Sequence, residues 1–382
     1  MTRNILFGLA VMCMVGAGAN ADVTLRVVTF NTYQGIDDTS SARTASGNLL
    51  TSLDLDGPGP NTSLTPDIVC LQETRYLSDL EDFRDEYLPG YQVIKGPTTD
   101  GFFSNGFFIR GDLTILKFNE FGTPGPRPLL RIVLEVPEAS EYLVVYTSHF
   151  KAGSDGSDIT TRRAEANAVA NRISVDRLIG IDVDGDGYEE YFPTCYLMTG
   201  DLNQDDFGSD VIDALLVGGS NGLPTHLNNA RVETLYGAQF PTTLVNTFST
   251  RYSLSRRYDY LLPSDTLFEV FDTNGDETVD QDELNAAGFS YISQDDNGLQ
   301  ASGDYDASEV ASDHAAVVLN ITLPSVLLGD LDGDGDVDLS DLAQLLAHYG
   351  MTSGATPEEG DLDGDGDVDL SDLAALLGNY GA

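Results

Sequence analysis

The stretch Thr199-Gly200-Asp201-Leu202-Asn203 follows the apolar run Cys195-Tyr196-Leu197-Met198, and it is the point from which the chain is best interpreted. A short apolar run that ends at a glycine predicts a buried strand followed by a turn. The turn would present Asp201 and Asn203 at the end of the strand. A carboxylate and an amide two residues apart can bind a metal-linked phosphate, but the same pair also forms ordinary Asx-turns.

Further polar residues follow apolar runs elsewhere in the chain, which favours the functional interpretation. The runs end at Phe30-Asn31, Leu71-Gln72-Glu73, Ser148-His149-Phe150-Lys151 and Ser312-Asp313-His314. With the central motif and one more predicted strand, they supply Asn31, Glu73, His149, Asp201, Asn203, Asp259, Asp313 and His314. This oxygen-rich set without paired thiolates suits Mg²⁺ or Mn²⁺ better than zinc. A hard ion beside a His–Asp dyad is what phosphoester hydrolysis requires.

The N-terminus has the pattern of a secretory signal peptide over residues 1–21. Arg3 supplies a basic start, residues 5–15 an apolar segment, and Ala19-Asn20-Ala21 a small-residue cleavage site. The apolar segment is too short to span a bilayer, and no later run is long enough. We therefore expect a secreted protein. Cys70 and Cys195 lie inside apolar runs, which favours buried free thiols over a disulfide.

The chain of 382 residues has a formal net charge of −43, and the acidic residues are unevenly distributed. No Lys or Arg follows Arg257, whereas 29 acidic residues do, so residues 1–257 carry a net charge of −14. Such a chain is not expected to adsorb to nucleic acid non-specifically, since that requires a basic surface. A polyanionic substrate stays compatible with it if divalent cations neutralise the site.

The predicted elements between residues 22 and 324 alternate between strands and helices and indicate an α/β sandwich of two sheets with helices outside. The predicted helices are Tyr76–Leu88, Thr161–Ile179 and Val211–Val217, with a possible short helix between residues 31 and 66. The predicted strands are 22–30, 67–73, 91–94, 106–109, 113–118, 128–136, 142–148, 195–198, 257–262 and 312–323.

The motifs occur in an order that resembles one known family. Asn, Gln-Glu, His-Phe-Lys, Gly-Asp-Leu-Asn, Asp-Tyr and Ser-Asp-His, over about residues 26–320, are similar to the endonuclease/exonuclease/phosphatase superfamily. The resemblance implies the deoxyribonuclease I-like fold, a four-layer sandwich of two β-sheets flanked by helices. It also implies that Glu73 is the main Mg²⁺ ligand, helped by Asn31 and Asp313.

The resemblance assigns catalytic roles to the other residues of the set. His314, oriented by Asp259, would transfer a proton or hold the phosphate, and Asp201 would orient or deprotonate the attacking water. Asn203 and His149 would hydrogen-bond the phosphate oxygens. Two roles stay open for Lys151, Arg162 and Arg163: they could contact the phosphate, or they could simply be solvated charges.

The substrate is less well defined. The polar residues after Gly-Asp-Leu-Asn and the arginines after His-Phe-Lys resemble secreted nucleases more than inositol phosphatases. A phosphomonoesterase or a sphingomyelinase-like phospholipase stays an alternative, as does a catalytically inactive scaffold. The phospholipase requires an apolar element that enters the membrane, and the candidates are Phe102, Phe103, Phe107 and Phe108, although the core of a β-hairpin is favoured for them.

The C-terminal region contains two copies of one acidic motif. Gly329–Asp341 recurs 31 residues later as Gly360–Asp372, each time followed by Leu-Ala-x-Leu-Leu. The oxygen ligands have the spacing of an EF-hand calcium loop: Asp330, Asp332, Asp334, Asp336, Asp338 and Asp341, then Asp361, Asp363, Asp365, Asp367, Asp369 and Asp372. With one helix after each loop, residues 325–382 resemble a type I dockerin, a small all-α module that binds two Ca²⁺ and a cohesin. Leu-Ser at loop positions 10 and 11 differs from the usual dockerin pattern, so a self-contained calcium-stabilised appendage stays open.

Two other acidic segments are weaker candidates for Ca²⁺. Within an acidic insert at about residues 264–311, an EF-hand-like loop would use Asp272, Asn274, Asp276, Asp280 and Glu283, although Glu277 replaces its turn glycine. The segment 182–187 lacks an acid at position 12 and is also typical of an Asp-Gly hairpin turn. The sequence thus predicts a secreted, Mg²⁺-dependent phosphoesterase, with a nuclease favoured. Besides the phosphomonoesterase or phospholipase, a cohesin-anchored calcium-binding surface component is an alternative.

Overall fold

The computed structural model describes most of the chain in two compact units. The described residues are 23–33, 36, 41–52, 66–99, 101–189, 191–204, 210–227, 258–269, 291–293, 312, 314, 316–325, 327–333 and 336–381. The larger unit comprises Thr24–Pro137 and Glu141–Leu323, and the smaller one consists mainly of Pro324–Ala382.

The larger unit contains two mixed β-sheets. Their strands are β1 (Val23–Asn31), β2 (Ile68–Thr74), β3 (Gln92–Lys95), β4 (Ser104–Ile109), β5 (Thr114–Phe121), β6 (Leu129–Glu135), β7 (Leu143–His149), β8 (Tyr196–Asp201), β9 (Asp259–Pro263), β10 (Tyr291–Ser293) and β11 (Ala316–Leu323). In the described residues, one sheet has the order β10-β11-β1-β2-β4-β3 and the other β5-β6-β7-β8-β9. The pairs β1–β2 and β7–β8 are parallel, and the other neighbours for which a register is given are antiparallel.

Helices cover the outer face of each sheet. They are α1 (Ser41–Ser52), α2 (Leu77–Tyr87), α3 (Gly156–Ile179), α4 (Asp210–Val217) and α5 (Asp265–Glu269). Leu49 and Phe83, from α1 and α2, pack with Phe108 of the first sheet. Val169 and Leu215, from α3 and α4, belong to the core cluster of the second sheet. The two sheets contact each other through β2, β4, β7 and β8, so the layers run helix, sheet, sheet, helix as predicted.

Two local features differ from the sequence prediction. Helix α3 begins at Gly156, five residues earlier than predicted, because Asp155 and Asp158 form a capping box at its start. Strand β10 lies within the acidic segment and was not predicted, since three residues are too few for a periodic pattern. It pairs with β11 in the register Tyr291↔Val318 and extends the first sheet at its edge.

The cysteines and phenylalanines singled out in the sequence are now placed. Cys70 and Cys195 are buried free thiols, which confirms the favoured prediction. Phe107 and Phe108 are fully buried in β4, whereas the side chain of Phe102 is 64% exposed. The expectation of a common hairpin core is therefore wrong for Phe102, because it lies in the turn before the strand begins. None of the helices in the described part of the chain is both long enough and apolar enough to cross a membrane.

The smaller unit consists of two loop–helix repeats. The helices are α6 (Leu339–His348) and α7 (Leu370–Asn379), with a short 3₁₀-helix, Pro357–Glu359, between them. One helix therefore follows each acidic loop, as predicted. Among the described residues of this unit, the fully buried apolar side chains are Val337, Leu345, Val368 and Leu376, two from each repeat at equivalent positions, and partly buried apolar residues pack against them. A core of this size is small for a stable fold without a bound metal or another cross-link.

A buried ion-pair cluster joins α3 to the second sheet. The carboxylate of Asp176 is 0% exposed and contacts the guanidinium groups of Arg131 and Arg172. It also accepts a 2.7 Å hydrogen bond from the hydroxyl of Tyr146. Removal of the negative charge of Asp176 would leave the guanidinium groups of Arg131 and Arg172, which are buried and partly buried, without this counter-ion.

We expect Asp176→Asn to lower the free energy of unfolding by about 3 kcal/mol, because breaking a buried pair exposes the desolvation cost of the remaining charge. Chemical denaturation monitored by circular dichroism measures the change. Asp85→Asn is the matched control, since the Arg84–Asp85 pair lies at the surface with Asp85 70% exposed. The control substitution should lower the free energy of unfolding by less than about 1 kcal/mol. Equal costs for the two variants would contradict the prediction.

Candidate active site

A row of three paired residues crosses the second sheet at the ends of β7, β8 and β9. His149 is the register partner of Asp201, and Asp201 is the register partner of Asp259. The row continues into the following turn, where the amide of Phe150 donates to the carbonyl of Asp201 at 2.9 Å. Three polar side chains that are distant in sequence are therefore neighbours by strand pairing alone.

The first sheet contributes Asn31 and Glu73 from the ends of β1 and β2. Asn31 pairs in register with Gln72, and the amide of Thr32 donates to the carbonyl of Gln72 at 3.1 Å. The buried side chain of Gln72 donates at 3.1 Å to the hydroxyl of Thr147 in the second sheet. Gln72 therefore links the two sheets directly behind the site.

The carboxylate of Asp201 lies at the centre of the candidate site. Its Oδ2 accepts a 2.9 Å hydrogen bond from Nδ2 of Asn31 and lies 3.4 Å from Nε2 of His149 and 3.6 Å from Nε2 of His314. Its Oδ1 accepts from the backbone amide of Asn203 at 2.8 Å. Burial raises the pKa of Asp201 to about 7, and the charge that His314 can carry opposes the shift.

His314 forms a dyad with Asp259. Nδ1 of His314 lies 2.7 Å from Oδ2 of Asp259, and because an ionised carboxylate only accepts, Nδ1 carries the proton. Nε2 then faces Asn31 at 3.4 Å. Ser312 fixes this segment, since its hydroxyl donates to the carbonyl of Asn31 at 2.7 Å and accepts from the amide of His314 at 3.1 Å. The fully buried Asp259 thus sets both the tautomer and the direction of the ring.

His149 is 1% exposed. Burial, with the nearby charges of Arg127 and His314, holds the pKa of its imidazole well below the usual range. The ring is therefore neutral at ordinary pH. Among the described residues, Nδ1 of His149 has no hydrogen-bond partner.

Glu73 and Asn203 both adopt left-handed backbone conformations. Their φ angles are +61° and +51°, a region that residues other than glycine enter at a cost. Oε1 of Glu73 lies 3.4 Å from Nδ2 of Asn31 and 3.9 Å from Nε2 of His149. Nδ2 of Asn203 donates to the carbonyl of Phe150 at 3.2 Å. Both side chains are turned towards the row of polar residues by these conformations.

The structure brings together every predicted catalytic or Mg²⁺-binding residue that it describes. Asp313 lies outside the described residues, as do Asp272, Asn274, Asp276, Asp280, Glu283 and Asp334. The donor atoms are mainly oxygens, which fits a hard divalent ion better than zinc. Asp201, Asp259 and His314 also offer atoms within 4.8 Å of one another.

The three basic residues left open between phosphate contacts and solvated charges have protein partners in the structure. Lys151 lies 3.0 Å from Asp158, and Arg163 lies 2.6 Å from Asp210. Arg162 is 4% exposed and donates to backbone carbonyls of the segment after β7, so it is neither a solvated charge nor placed at the surface for a phosphate. The sequence could not distinguish a buried arginine from a solvated one, because both occur in polar helix segments.

Two buried charged residues near the site were not predicted from the sequence. Arg127 donates from Nη1 to the carbonyls of His149 at 3.2 Å and Phe150 at 3.3 Å. Glu165 is fully buried and accepts from the amide of Lys151 at 2.8 Å. Burial raises the pKa of Glu165 to about 7, against the opposing effects of that amide and of nearby arginines. The only sequence signal is the spacing Arg162-x-x-Glu165, which places both on one face of α3.

The acidic loops of the smaller unit have matching geometry. Asp341 and Asp372, at loop position 12, are fully buried. Oδ1 of Asp341 accepts from the amide of Leu331 at 2.7 Å, and Oδ1 of Asp372 accepts from the amide of Leu362 at 2.8 Å. Groups of three carboxylates from each loop offer oxygens within 4.8 Å of one another: Asp330, Asp332 and Asp341, Asp336, Asp338 and Asp341, and Asp361, Asp363 and Asp372.

The loop at residues 182–187 closes an antiparallel bridge between Ile181 and Tyr191. Asp182 accepts from the amides of Gly185 at 2.5 Å and Gly187 at 3.2 Å, as is typical of a turn stabilised by its own aspartates. These contacts fit the hairpin-turn interpretation. Asp182, Asp184 and Asp186 also offer oxygens within 4.8 Å of one another, so calcium binding stays an alternative for this segment.

The comparison with known families identifies the family of the chain. The sequence model of the endonuclease/exonuclease/phosphatase family matches residues 28–314, so the chain belongs to this family. No curated protein sequence matches the chain. Membership of this family supports a phosphoesterase activity for the chain.

Solved structures similar to this chain are distant in sequence. D. rerio TDP2 complexed with a single-strand DNA product is 17% identical with a TM-score of 0.49, and the match covers 78% of this chain and 99% of that chain. The human nocturnin catalytic domain with bound sulfate is 14% identical with a TM-score of 0.49, and the match covers 79% and 96%. A family protein from Bacteroides vulgatus is 14% identical with a TM-score of 0.49, and the match covers 79% and 99%.

Gly200 is the residue on which the spacing of β7 and β8 depends. Its φ is +134°, and a Cβ atom there would collide with the carbonyl oxygen of Ser148, its register partner. We expect Gly200→Ala to destabilise the chain by about 1–3 kcal/mol more than Gly90→Ala, because overpacking adds to the shared cost of a positive φ. Gly90 is the matched control, since its φ is +89° and no atom would lie within 4 Å of the added carbon. Denaturant titration of the two variants gives the difference, and equal stabilities would refute the argument.

Proposed function

We propose that this chain is a secreted, Mg²⁺-dependent phosphoesterase that hydrolyses phosphodiester bonds of nucleic acid. In this proposal residues 1–21 are a signal peptide and residues 22–324 form the catalytic domain. The observation that carries it is the convergence on Asp201, which accepts from Asn31 at 2.9 Å and lies 3.6 Å from Nε2 of His314. An amide, two imidazoles and a second carboxylate around one buried acid can neutralise charge, orient water and transfer a proton.

Glu73 and Asn31, with Asp313 as the sequence predicts, would hold the Mg²⁺. When bound, the ion supplies Lewis-acid stabilisation of the negative charge on the phosphate. The side chain of Glu73 is 15% exposed and so is more accessible than Asp201. Asp259 and His314 are less suitable ligands, because each already binds the other through a 2.7 Å hydrogen bond.

The remaining residues would act on the water and the phosphate. Asp201 would accept a hydrogen bond from the attacking water and fix its direction. His314, with its Nδ1 proton held by Asp259, would hold or transfer a proton at Nε2 beside the phosphate. The neutral ring of His149 and the amide of Asn203 would donate hydrogen bonds to phosphate oxygens.

A nuclease is favoured by the polar residues that follow the Gly-Asp-Leu-Asn motif. One observation favours the phospholipase alternative, since Phe102 is 64% exposed. It lies just before Ser104, which pairs with Thr74 beside Glu73. A panel of DNA, RNA, an inositol phosphate and sphingomyelin, each assayed with Mg²⁺, separates the candidates. Turnover of sphingomyelin alone would replace the nuclease proposal.

We expect Glu73→Gln and His314→Ala each to lower kcat by at least about a hundred-fold without unfolding the chain, because each removes a charge or a proton carrier at the phosphate. Steady-state kinetics with the best substrate of the panel measures the change. His226→Ala is the matched control, because His226 forms an equally short 2.6 Å pair with Asp265 but is 41% exposed. Retained turnover in either site variant would overturn its assigned role.

We also propose that residues 325–382 bind Ca²⁺ in their two loops and dock onto a cohesin-type protein. The buried carboxylates at loop position 12 and the small apolar core support the metal, since a bound ion would supply the missing stability. Equivalent leucines of the two repeats support a protein partner: Leu339 and Leu370 are each 66% exposed, and Leu346 and Leu377 are each 51% exposed. Apolar side chains repeated in this way form a surface suited to a protein interface.

Removal of Ca²⁺ with a chelator should lower the unfolding midpoint of the smaller unit, because binding to the folded state adds about 2.7 kcal/mol at a hundred-fold excess over Kd. Calorimetry of the full chain measures both transitions. Asp372→Asn should remove one Ca²⁺ from the measured stoichiometry, whereas the exposed Glu358→Gln should remove none. An unchanged stoichiometry in Asp372→Asn would disprove the assignment. Capture of a cohesin only when Ca²⁺ is present would support docking.

A further inference from the structure

The segment after β7, residues 149–153, is held by three charged side chains from other parts of the chain. Arg127 donates to the carbonyls of His149 and Phe150 at 3.2 and 3.3 Å. Arg162 donates from Nη1 to the carbonyls of Lys151 at 2.9 Å and Gly153 at 2.7 Å. Glu165 accepts from the amide of Lys151 at 2.8 Å. These contacts occupy five backbone polar groups of a short turn.

The three charged residues form a buried cluster. Arg127 is 8% exposed, Arg162 is 4% exposed and Glu165 is 0% exposed. Among the described residues, Oε1 of Glu165 has no hydrogen-bond partner, so the charges of Arg127 and Arg162 compensate for its burial. A Cβ on Gly125 would collide with this oxygen, so the carboxylate is packed against the turn that leads to Arg127. The position of Glu165 therefore depends on charge balance and close packing together.

The cluster is one contact away from both predicted phosphate-binding residues. The carbonyl of Phe150 accepts from Arg127 and also from Nδ2 of Asn203 at 3.2 Å. The carbonyl of His149 accepts from the same Arg127 nitrogen. Nε of Arg162 donates at 3.3 Å to Gln204, the residue after Asn203. A shift of the cluster would therefore move both side chains.

We propose that Arg127, Arg162 and Glu165 are positioning residues that set the separation of His149 and Asn203 for the phosphate. The inference rests on the proposed phosphoesterase function and adds to it a set of residues that do not touch the substrate. Glu165 balances the two guanidinium groups, and these fix the turn from both sides. Because a misplacement of about 1 Å can reduce a rate about a hundred-fold, such a cluster controls turnover without contacting the reacting atoms.

The test is Glu165→Gln in the full chain, which keeps an acceptor for the amide of Lys151 and removes the charge. Kinetics at a pH well above 7 gives kcat and KM with Glu165 mainly ionised, because burial raises its pKa only to about 7. Titration with Mn²⁺ gives metal affinity. Nitrogen NMR of the four histidines reports the His149 ring without any need for turnover. His149→Gln assigns its signal. Arg127→Lys and Arg162→Lys give a second test if the glutamine variant does not fold.

The matched control is Asp176→Asn. Asp176 lies on the same helix α3, is equally buried, and faces two arginines, but it contacts neither His149 nor the segment after it. The two variants should therefore lose similar stability. Only the cluster variants should change the site.

We expect Glu165→Gln to lower kcat about 10- to 100-fold, with Mn²⁺ affinity within about two-fold and the His149 signals shifted. Asp176→Asn should leave kcat and the His149 signals unchanged. Unaltered kcat and His149 signals in the Glu165 variant, or an equal fall of kcat in the control, would overturn the proposal. If the wild-type chain cleaves no phosphoester, the proposed function fails, while unchanged His149 signals would reject the positioning role separately.

Discussion

The pairing register of β7, β8 and β9 is the constraint on which the rest of the site depends. It places His149, Asp201 and Asp259 in one row, and a slip of one residue would turn each side chain to the opposite face. Gly200 permits the close approach of β7 and β8 that this register requires. The other sheet then needs only to bring Asn31 and Glu73 to the same edge, and Gln72 links the two sheets at that point. The geometry of the site is thus set mainly by backbone hydrogen bonds rather than by flexible side chains.

The sequence predicted the fold class, and it placed most of the candidate site residues at strand ends, because both depend on local patterns. An apolar run that ends in a polar residue marks the end of a buried strand, and this signal found Asn31, Glu73, His149 and Asp201. It could not find Arg127 and Glu165, since a buried charge is recognised only by partners distant in sequence. Strand β10 was missed because three residues carry no periodicity. Neither of the two roles left open for Arg162 anticipated its burial, because helix position alone does not reveal burial.

Charge has different consequences in the two units. In the larger unit, buried acids such as Asp176 and Glu165 face arginines, so burial and pairing are balanced within the protein. Residues 324–382, which make up most of the smaller unit, contain no Lys or Arg, and their acids can be balanced only by ions from the solvent. The folding of the smaller unit would then follow the ionic composition of the medium, whereas the folding of the larger unit depends mainly on its own contacts.

Glu73 has a left-handed backbone conformation, which glycine adopts at a lower energetic cost. Selection for thermal stability alone would favour replacement of Glu73 by glycine, because the replacement relieves the backbone strain and such selection does not maintain the carboxylate. At residue 73, selection for stability and selection for the proposed metal binding therefore favour different side chains. Laboratory evolution towards higher stability should therefore also select for activity, because otherwise it will favour stable variants that lack the carboxylate of the proposed Mg²⁺ site.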